Sequence, residues 1–202
     1  MQQNIINGFY TNDGIQVEDI KDCDYVQIKL DGTNAQKQNA NMLISMESYM
    51  SIIKYKWYLG KCGYPVTYQS IDKKEKSNVG VKIHKMLLGS IGSIGSILSY
   101  CSNSSDEKMV IDHINRNKLD NRLENLRICS AKQNSYNTSK RKDSKNKYKG
   151  VKKQGKNKWC VSITKDGNKH EIKDIENERE AAYIYDLLAE ELFGDYAGKN
   201  FN

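Results

Sequence analysis

The chain has 202 residues, a formal charge of +7, a pI near 9.0 and a mean hydropathy of -0.77. That length suits one or two compact domains, and a hydrophobic content of 38% supports small cores. No apolar run approaches the ~18 residues needed to span a bilayer, so no membrane partner is expected, while the basic surplus points to a polyanion, nucleic acid first.

In chain order, residues Met1–Asn4 lack the basic patch and apolar run of a secretory leader. Residues 24–83 read mainly as short strands. Tyr25–Leu30 ends at the turn signal Asp31-Gly32, and Gly60–Gly63 reads as a hairpin loop between Trp57–Leu59 and Tyr64–Tyr68. Met46–Ile53 has the pattern of a short amphipathic helix, and Val79–Ile83 that of another strand. His84, in the run Ile83–Leu88, reads as structural. Gly-Ser-Ile repeated three times over residues 89–97, then a Ser/Asn/Asp-rich run to Lys108, favours a flexible connector. The cysteines at 23, 62, 101, 129 and 160 form no Cys-x-x-Cys pair, which argues against a zinc knuckle or a disulfide framework and for reduced thiols.

Val110–Asn115 places an acid and a histidine side by side at the end of a short apolar strand. A polar loop follows to Asn125, and Leu126–Cys129 reads as a second strand. Ser130 then caps a helix, with Gln133 in the capping-box position and Asn134 in the first turn. A lone Asp-His pair more often marks a turn or a satisfied polar pair, but the order strand, loop, strand, helix with polar groups at 112, 113, 125 and 134 is specific. Histidine, with a pKa near ~6.5, removes a proton from water at neutral pH. A carboxylate and an amide oxygen suit a hard cation.

The phrase from Ile111 to Arg127, with Asn125 and Asn134 lying 12 and 21 residues beyond His113, resembles the signature of the HNH nucleases, especially homing endonucleases of mobile introns and viral genomes. The resemblance implies a ββα-metal core. It implies that His113 is the general base, that Asn125 holds the imidazole, and that Asp112 and Asn134 bind one divalent cation, Mg²⁺ or alternatively Mn²⁺. The last position is asparagine where other members carry histidine. Products with 3′-hydroxyl and 5′-phosphate ends are implied as well. Arg122 and Arg127 read equally as phosphate contacts or as loop braces. Asn115, Asn117 and Asn121 read as loop-shaping residues, and Asn137 as a weaker rival for the metal.

Residues 140–158 hold ten Lys/Arg and one acid, Asp143, whereas residues 159–202 hold five basic and ten acidic residues. Residues 140–147 read as a solvated linker. The clearest helix is Glu178–Phe193, capped by Asn177, with a stripe of Ala181, Tyr185, Leu188 and Leu192 and a stop at Gly194. Tyr148-Lys149-Gly150-Val151, Trp159, Ala181-Ala182, Tyr185-Asp186, Gly194, Ala197 and Asn200-Phe201 resemble the plant Apetala-type (ethylene-response-factor) DNA-binding domain. That resemblance covers about residues 147–202 and implies three antiparallel strands packed on one helix, with the sheet in the major groove. Trp159, Val161, Ile163 and Ile172 are expected to face the helix. Cys160, Ser162, Thr164, Lys169, Glu171 and Lys173 are expected outward beside Lys152. Plant domains present arginines and a tryptophan where Ser162, Thr164 and Glu171 stand here, so phosphate contact is expected to outweigh base readout. Lys149, Lys152, Lys153, Lys158, Lys169 and Lys173 are the candidate DNA-binding lysines, and His170 has no chemistry assigned.

The sequence therefore leads to an α+β protein. It comprises a β-rich region (1–88), a connector (89–109), an HNH core (110–139), a basic linker (140–147) and a C-terminal DNA-binding domain (148–202). The expected activity is homing-type hydrolysis of double-stranded DNA by a monomer. The expected location is intracellular with access to DNA: the cytoplasm of a prokaryote or virus-infected cell, or a nucleus. A non-enzymatic DNA-binding regulator on a nuclease scaffold is the rival, and an RNA-directed protein a third reading with little in the sequence behind it.

Overall fold

The computed structural model describes residues 24–72, 77–89, 108–141 and 143–201. Residues 90–107 of the expected connector lie outside the described residues, as do Cys23 and Cys101. The architecture is α+β, and the chain falls into two compact units, residues 1–128 and 129–202. Among the described residues no helix is long and apolar enough to cross a membrane. Cys62, Cys129 and Cys160 are free thiols.

The first unit begins with β1 (Tyr25–Lys29), whose Val26 and Ile28 point into the core while Tyr25 is exposed, the period-two pattern of a half-buried strand. A short helix α1 (Thr33–Gln38), absent from the sequence reading, leads into β2 (Asn41–Ser45), which pairs antiparallel with β1 and buries Met42 and Ile44. The expected helix at 46–53 is a 3₁₀ turn, Met46–Ser48, running into α2 (Tyr49–Ile52). Trp57 is fully buried and its indole N–H donates to the Ile52 carbonyl at 3.1 Å, so the polar edge of a large core residue is satisfied.

A second sheet is antiparallel: β3 (Tyr58–Leu59), β4 (Pro65–Asp72) and β5 (Ser77–Lys82). The Gly60–Gly63 hairpin lies between β3 and β4 as expected. α3 (Ile83–Gly89) follows and buries Ile83, His84, Leu87 and Leu88. β6 (Met109–His113) pairs with β8 (Leu126–Ser130). Between them, β7 (Asp120–Asn121) adds to β2 in parallel, with Leu43 opposite Asp120 and Ile44 opposite Asn121. The Leu43 N–H donates to the Leu119 carbonyl at 2.8 Å, and the Leu123 N–H to Ser45 Oγ at 2.8 Å. A polar loop is thereby stitched to a strand whose other face is core.

The second unit opens with α4 (Ala131–Tyr136), where Ser130 and Gln133 form both halves of a capping box. β9 (Val151–Gly155), β10 (Lys158–Lys165) and β11 (Asn168–Ile175) form one antiparallel sheet in the order β11-β10-β9. α5 (Glu178–Phe193) packs on it, capped by Asn177, which accepts from the Arg179 and Glu180 amides. Val151, Val161, Ile163, Ile175, Ala181, Ala182, Tyr185 and Ala189 form the buried core, with Trp159 partly buried against it.

Two expected orientations are overturned. Trp159 pairs with Ile175 but Val161 pairs with Ile172, so the ladder slips at this point. That irregularity breaks strict alternation, and Cys160, expected outward, is buried. Ile172, expected inward, is 41% exposed. β11 is an edge strand whose first seven residues are all exposed, and only Ile175 reaches the core.

The C-terminal segment is fastened by one carboxylate. Buried Asp186 accepts from the Asn200 and Phe201 amides at 2.7 and 2.9 Å, and Asn200 Oδ1 accepts from the Lys149 amide at 2.7 Å. Gly150, at φ +72°, leaves no room for a Cβ, which would run into the Tyr185 ring. Gly150→Ala is expected to cost more than about 1 kcal/mol through both strain and clash. Denaturant titration of the purified full chain checks this.

Candidate active site

β6 ends in two adjacent buried side chains, Asp112 and His113. The chain turns immediately after them, with the Arg116 amide donating to the His113 carbonyl at 2.8 Å and Arg116 in a left-handed conformation at φ +65°. From there to Asn125 the loop is braced by its own amides. The Asn115 N–H donates to Asn125 Oδ1 at 3.0 Å. Asn125 Nδ2 donates in return to Asn115 Oδ1 at 3.0 Å and to the Asp120 carbonyl at 2.7 Å. Asn115 Oδ1 and Asn117 Oδ1 in turn accept from the Asn117 and Leu119 amides, the local side-chain-to-backbone bonding that favours asparagine in turns.

Asp120 stands at the centre of this loop, 2% exposed. Its carboxylate receives Arg122 Nε and Nη2, both at 2.8 Å, and Asn115 Nδ2 at 2.7 Å. Burial alone raises its pKa, but the hydrogen bonds from Arg122 and Asn115 together with the Arg122 charge outweigh burial and hold it below the usual carboxylate value. Arg122 is raised correspondingly and also meets Glu124 at 2.7 Å.

The imidazole of His113 is held by Asn121. His113 Nε2 lies 3.1 Å from Asn121 Oδ1, and Asn121 Nδ2 donates to the Lys118 carbonyl at 3.2 Å. The second bond assigns the amide so that its oxygen faces the ring, so Nε2 carries the proton and Nδ1 the lone pair. Burial pushes the His113 pKa down, while the Asn121 bond and the Asp112 and Asp120 charges pull it partway back. At neutral pH the ring is therefore an unprotonated base. Asn125, which the sequence resemblance placed on the imidazole, spends its side chain on the loop instead.

Two aromatic rings enclose the histidine. Tyr64, immediately before β4, lies 5.8 Å from it between centroids, and His84 of α3 lies 5.2 Å away, edge-on at 89°. Tyr64 and His84 contact each other at 4.9 Å. Burial, with the neighbouring His113, Lys82 and Lys85, drives the His84 pKa down to about 3, so it carries no charge near pH 7. Its Nδ1 is buried without a hydrogen-bond partner among the described residues. Burial, with Asp112 close by, raises the Tyr64 phenol.

Asp112 accepts Arg127 Nε and Nη2 on its Oδ2 at 3.0 and 2.7 Å. Arg122 and Arg127 are thus both bound to carboxylates of the first unit. Asn134 occupies the fourth position of α4, half-buried, and Asn137 is the buried C-cap of that helix. Among the described residues no group of three His, Cys, Asp or Glu gathers around a point. A cation would rest on one protein carboxylate with amide and external oxygens. That donor set suits a hard divalent cation that keeps several waters, and Asp112 lies buried beside His113.

In the second unit the candidate lysines differ in what they touch. Lys149 Nζ donates to the carbonyls of Tyr136, Thr138 and Gly198 at 3.0, 2.6 and 3.3 Å, which matches the three N–H groups of an ammonium. Lys158 pairs with Asp174, while Lys169 and Lys173 share Glu171. The Lys169 hydrogen bond leads the causes that lower the Glu171 pKa to about 2. Lys152 and Lys153 are exposed on β9. Residues 140–147 include a local turn, with the Ser144 amide on the Arg141 carbonyl. Lys140, Arg141, Tyr148, Lys149, Lys152 and Ser162 all line one cavity of about 430 Å³.

Comparison with known proteins agrees with the signature. The HNH endonuclease family model matches residues 104–136. A protein of Acanthamoeba polyphaga mimivirus, named as an uncharacterized HNH endonuclease, is 41% identical over 157 residues, 78% of this chain and 73% of the relative. Protein 3.8 of Escherichia phage T7 is 32% identical over 88 residues, 43% of this chain and 72% of that protein. No solved structure matches. The chain belongs to the HNH endonuclease family.

The Asp120 cluster yields a pH-dependent expectation. A carboxyl whose folded pKa lies below its unfolded value of about 3.9 stabilises the fold above that value and loses this contribution as pH falls through the folded pKa. Asp120→Asn should therefore destabilise the protein at pH 7 by on the order of 2 kcal/mol, with Arg122 losing its ionic partner. The gap from the parent should narrow progressively below about pH 4. Urea melts at pH 7 and pH 3 measure the difference.

Proposed function

We propose that this protein is a metal-dependent endonuclease that hydrolyses phosphodiester bonds of double-stranded DNA, with His113 as general base. One observation carries the reading: a buried imidazole, neutral at physiological pH, has its tautomer fixed by Asn121 and stands beside the buried carboxylate of Asp112. A neutral imidazole with a lone pair on Nδ1 accepts a proton from water as that water attacks phosphorus. Tyr64 and His84 limit the tilt of the ring, and the Asn115–Asn125–Asp120 bracing limits movement of the loop beneath it. Such preorganisation lowers the cost of reaching the reactive geometry.

Asp112 and Asn134 would hold the cation, Mg²⁺ or Mn²⁺. When bound, it supplies Lewis-acid stabilisation of charge on the phosphate and the leaving oxygen. Arg127 pairs with Asp112 and would have to share that carboxylate with the metal. Asn125 supports catalysis through the loop, one residue removed from the ring.

Residues 148–202 are read as an Apetala-type DNA-binding module. Three antiparallel strands on one helix, with Lys152 and Lys153 exposed on β9, support that reading. Glu171 offsets Lys169 and Lys173, which favours modest backbone affinity over base readout on β11. The homing-type role, the monomeric state and the scheme of five segments from the sequence reading belong to this proposal as well.

Incubated with supercoiled plasmid, the protein should give nicked or linear product with Mg²⁺ and none with EDTA. His113→Ala should lower the cleavage rate by roughly 10²- to 10⁴-fold with little change in DNA affinity. Full cleavage by that variant would transfer the base to another group, and metal-independent binding without cleavage by the parent would favour a DNA-binding regulator. Asn121→Ala should reduce kcat by roughly 10- to 100-fold at unchanged affinity. Single-turnover cleavage together with binding by fluorescence anisotropy separates the two effects.

A further inference from the structure

Arg122 and Arg127, the two arginines read from the sequence as possible phosphate contacts, are already bound by protein carboxylates. Arg122 presents its fork to Asp120 and its remaining nitrogen to Glu124, and Arg127 is bound to Asp112. A backbone phosphate approaching His113 would have to break a buried or half-buried ion pair to use either one, and such exchange is costly. Two lysines seated beside Tyr64, the ring that packs against His113, are without that restraint. Lys82, at the end of β5, has its ammonium 4.5 Å from the centroid of the Tyr64 ring, and Lys118, from the loop after β6, lies 4.6 Å from the same centroid. Neither forms an ion pair with any described carboxylate.

Tyr64 is the ring that also packs against His113 and His84. One aromatic side chain therefore gathers Lys82 from the end of β5 and both Lys118 and His113 from the β6 end and the loop after it. A cation on an aromatic face gains about 0.5–2 kcal/mol but keeps its full charge. Lys118 Nζ also donates to the Cys62 carbonyl at 3.0 Å, which fixes the direction of that side chain and leaves two of its N–H groups for another acceptor. The positive field reaches the histidines, since Lys118 lowers the pKa of His113 and Lys82 that of His84.

We propose that Lys82 and Lys118, seated on Tyr64, are the phosphate-binding pair that holds the DNA backbone against His113, in place of Arg122 and Arg127. The argument rests on the nuclease reading above and names the groups that position its substrate. Two uncompensated point charges suit the non-bridging oxygens of successive phosphates, which they contact without selecting a base. The aromatic platform sets their separation, and the hairpin that supplies Tyr64 and Cys62 becomes part of the substrate site.

The test uses the full chain carrying His113→Ala, so that binding is measured without cleavage. Duplex DNA affinity is followed from about 50 to about 200 mM salt with and without the double substitution Lys82→Met and Lys118→Met. Each lost phosphate contact should reduce the log–log salt slope by about 0.9, so the parent should lose about twelvefold more affinity than the double variant across that range. Lys82→Arg with Lys118→Arg should restore most of the slope. An unchanged slope in a double methionine variant whose melting curve matches the parent overturns the pair. Should the methionine variant fold poorly, the single Lys118→Gln variant is read the same way, with an expected slope change of about 0.9. Failure of the unsubstituted protein to bind or cut DNA would instead overturn the nuclease reading itself.

Discussion

The buried carboxylate of Asp120 is the constraint on which the site depends. The polar loop of residues 114–125 between β6 and β8 reaches the core of the first unit through Leu119 and Leu123, which are only partly buried there. It is ordered by converging donors on one anion: the fork of Arg122 and the amide of Asn115 meet there, and Asn125 closes the same turn through the Asp120 carbonyl. Because Asp120 and Asn121 also pair with β2, the order of the loop is inherited from the hydrophobic sheet beneath it. Asn121 then passes that order to the imidazole. Polar networks of this kind are stabilising only when every member is satisfied, and here the bracing asparagines have partners on both backbone and side chain.

Charge is divided by role in the same region. Carboxylates neutralise the arginines, whose planar forks suit fixed bidentate pairing. Lys82 and Lys118 lie over the Tyr64 ring with no carboxylate partner among the described residues. The net positive charge of the chain is thus a poor guide to where an anion meets it. What matters is which cations lack an internal counter-ion, and in the second unit the same division separates Lys152 and Lys153 from Lys158, Lys169 and Lys173.

Much of this was legible in the sequence, for physical reasons that differ by element. The Ser130–Gln133 capping box and the Asn177 cap were readable because capping is local chemistry, satisfied within four residues. The Glu178–Phe193 helix showed its apolar stripe, and Asp112-His113 stood out by spacing against Asn125 and Asn134. Tyr64 was hidden because it comes from a hairpin nearly fifty residues away, and nothing in Tyr-Pro-Val-Thr-Tyr signals a neighbour of the base. His84 read as structural, and its face-to-edge contact with His113 appears only in three dimensions. Asn121 looked like one more loop asparagine, since β2–β7 pairing is non-local. Ile172 and Cys160 were misplaced because a slip in the β10–β11 ladder is invisible to an alternation rule.

The ammonium of Lys149 has a wider implication. By binding the carbonyls of Tyr136, Thr138 and Gly198 it fastens the end of α4 to the C-terminal tail, and the Tyr136 ring stacks on Phe193 at 4.1 Å. The stretch that matches the HNH family ends at residue 136, yet the helix carrying Asn134 finds these partners in the module that follows. Recombination between two such proteins would therefore tolerate a crossover poorly at that apparent seam, and an exchanged C-terminal segment would have to bring its own helix, or a compatible lysine and tail, with it.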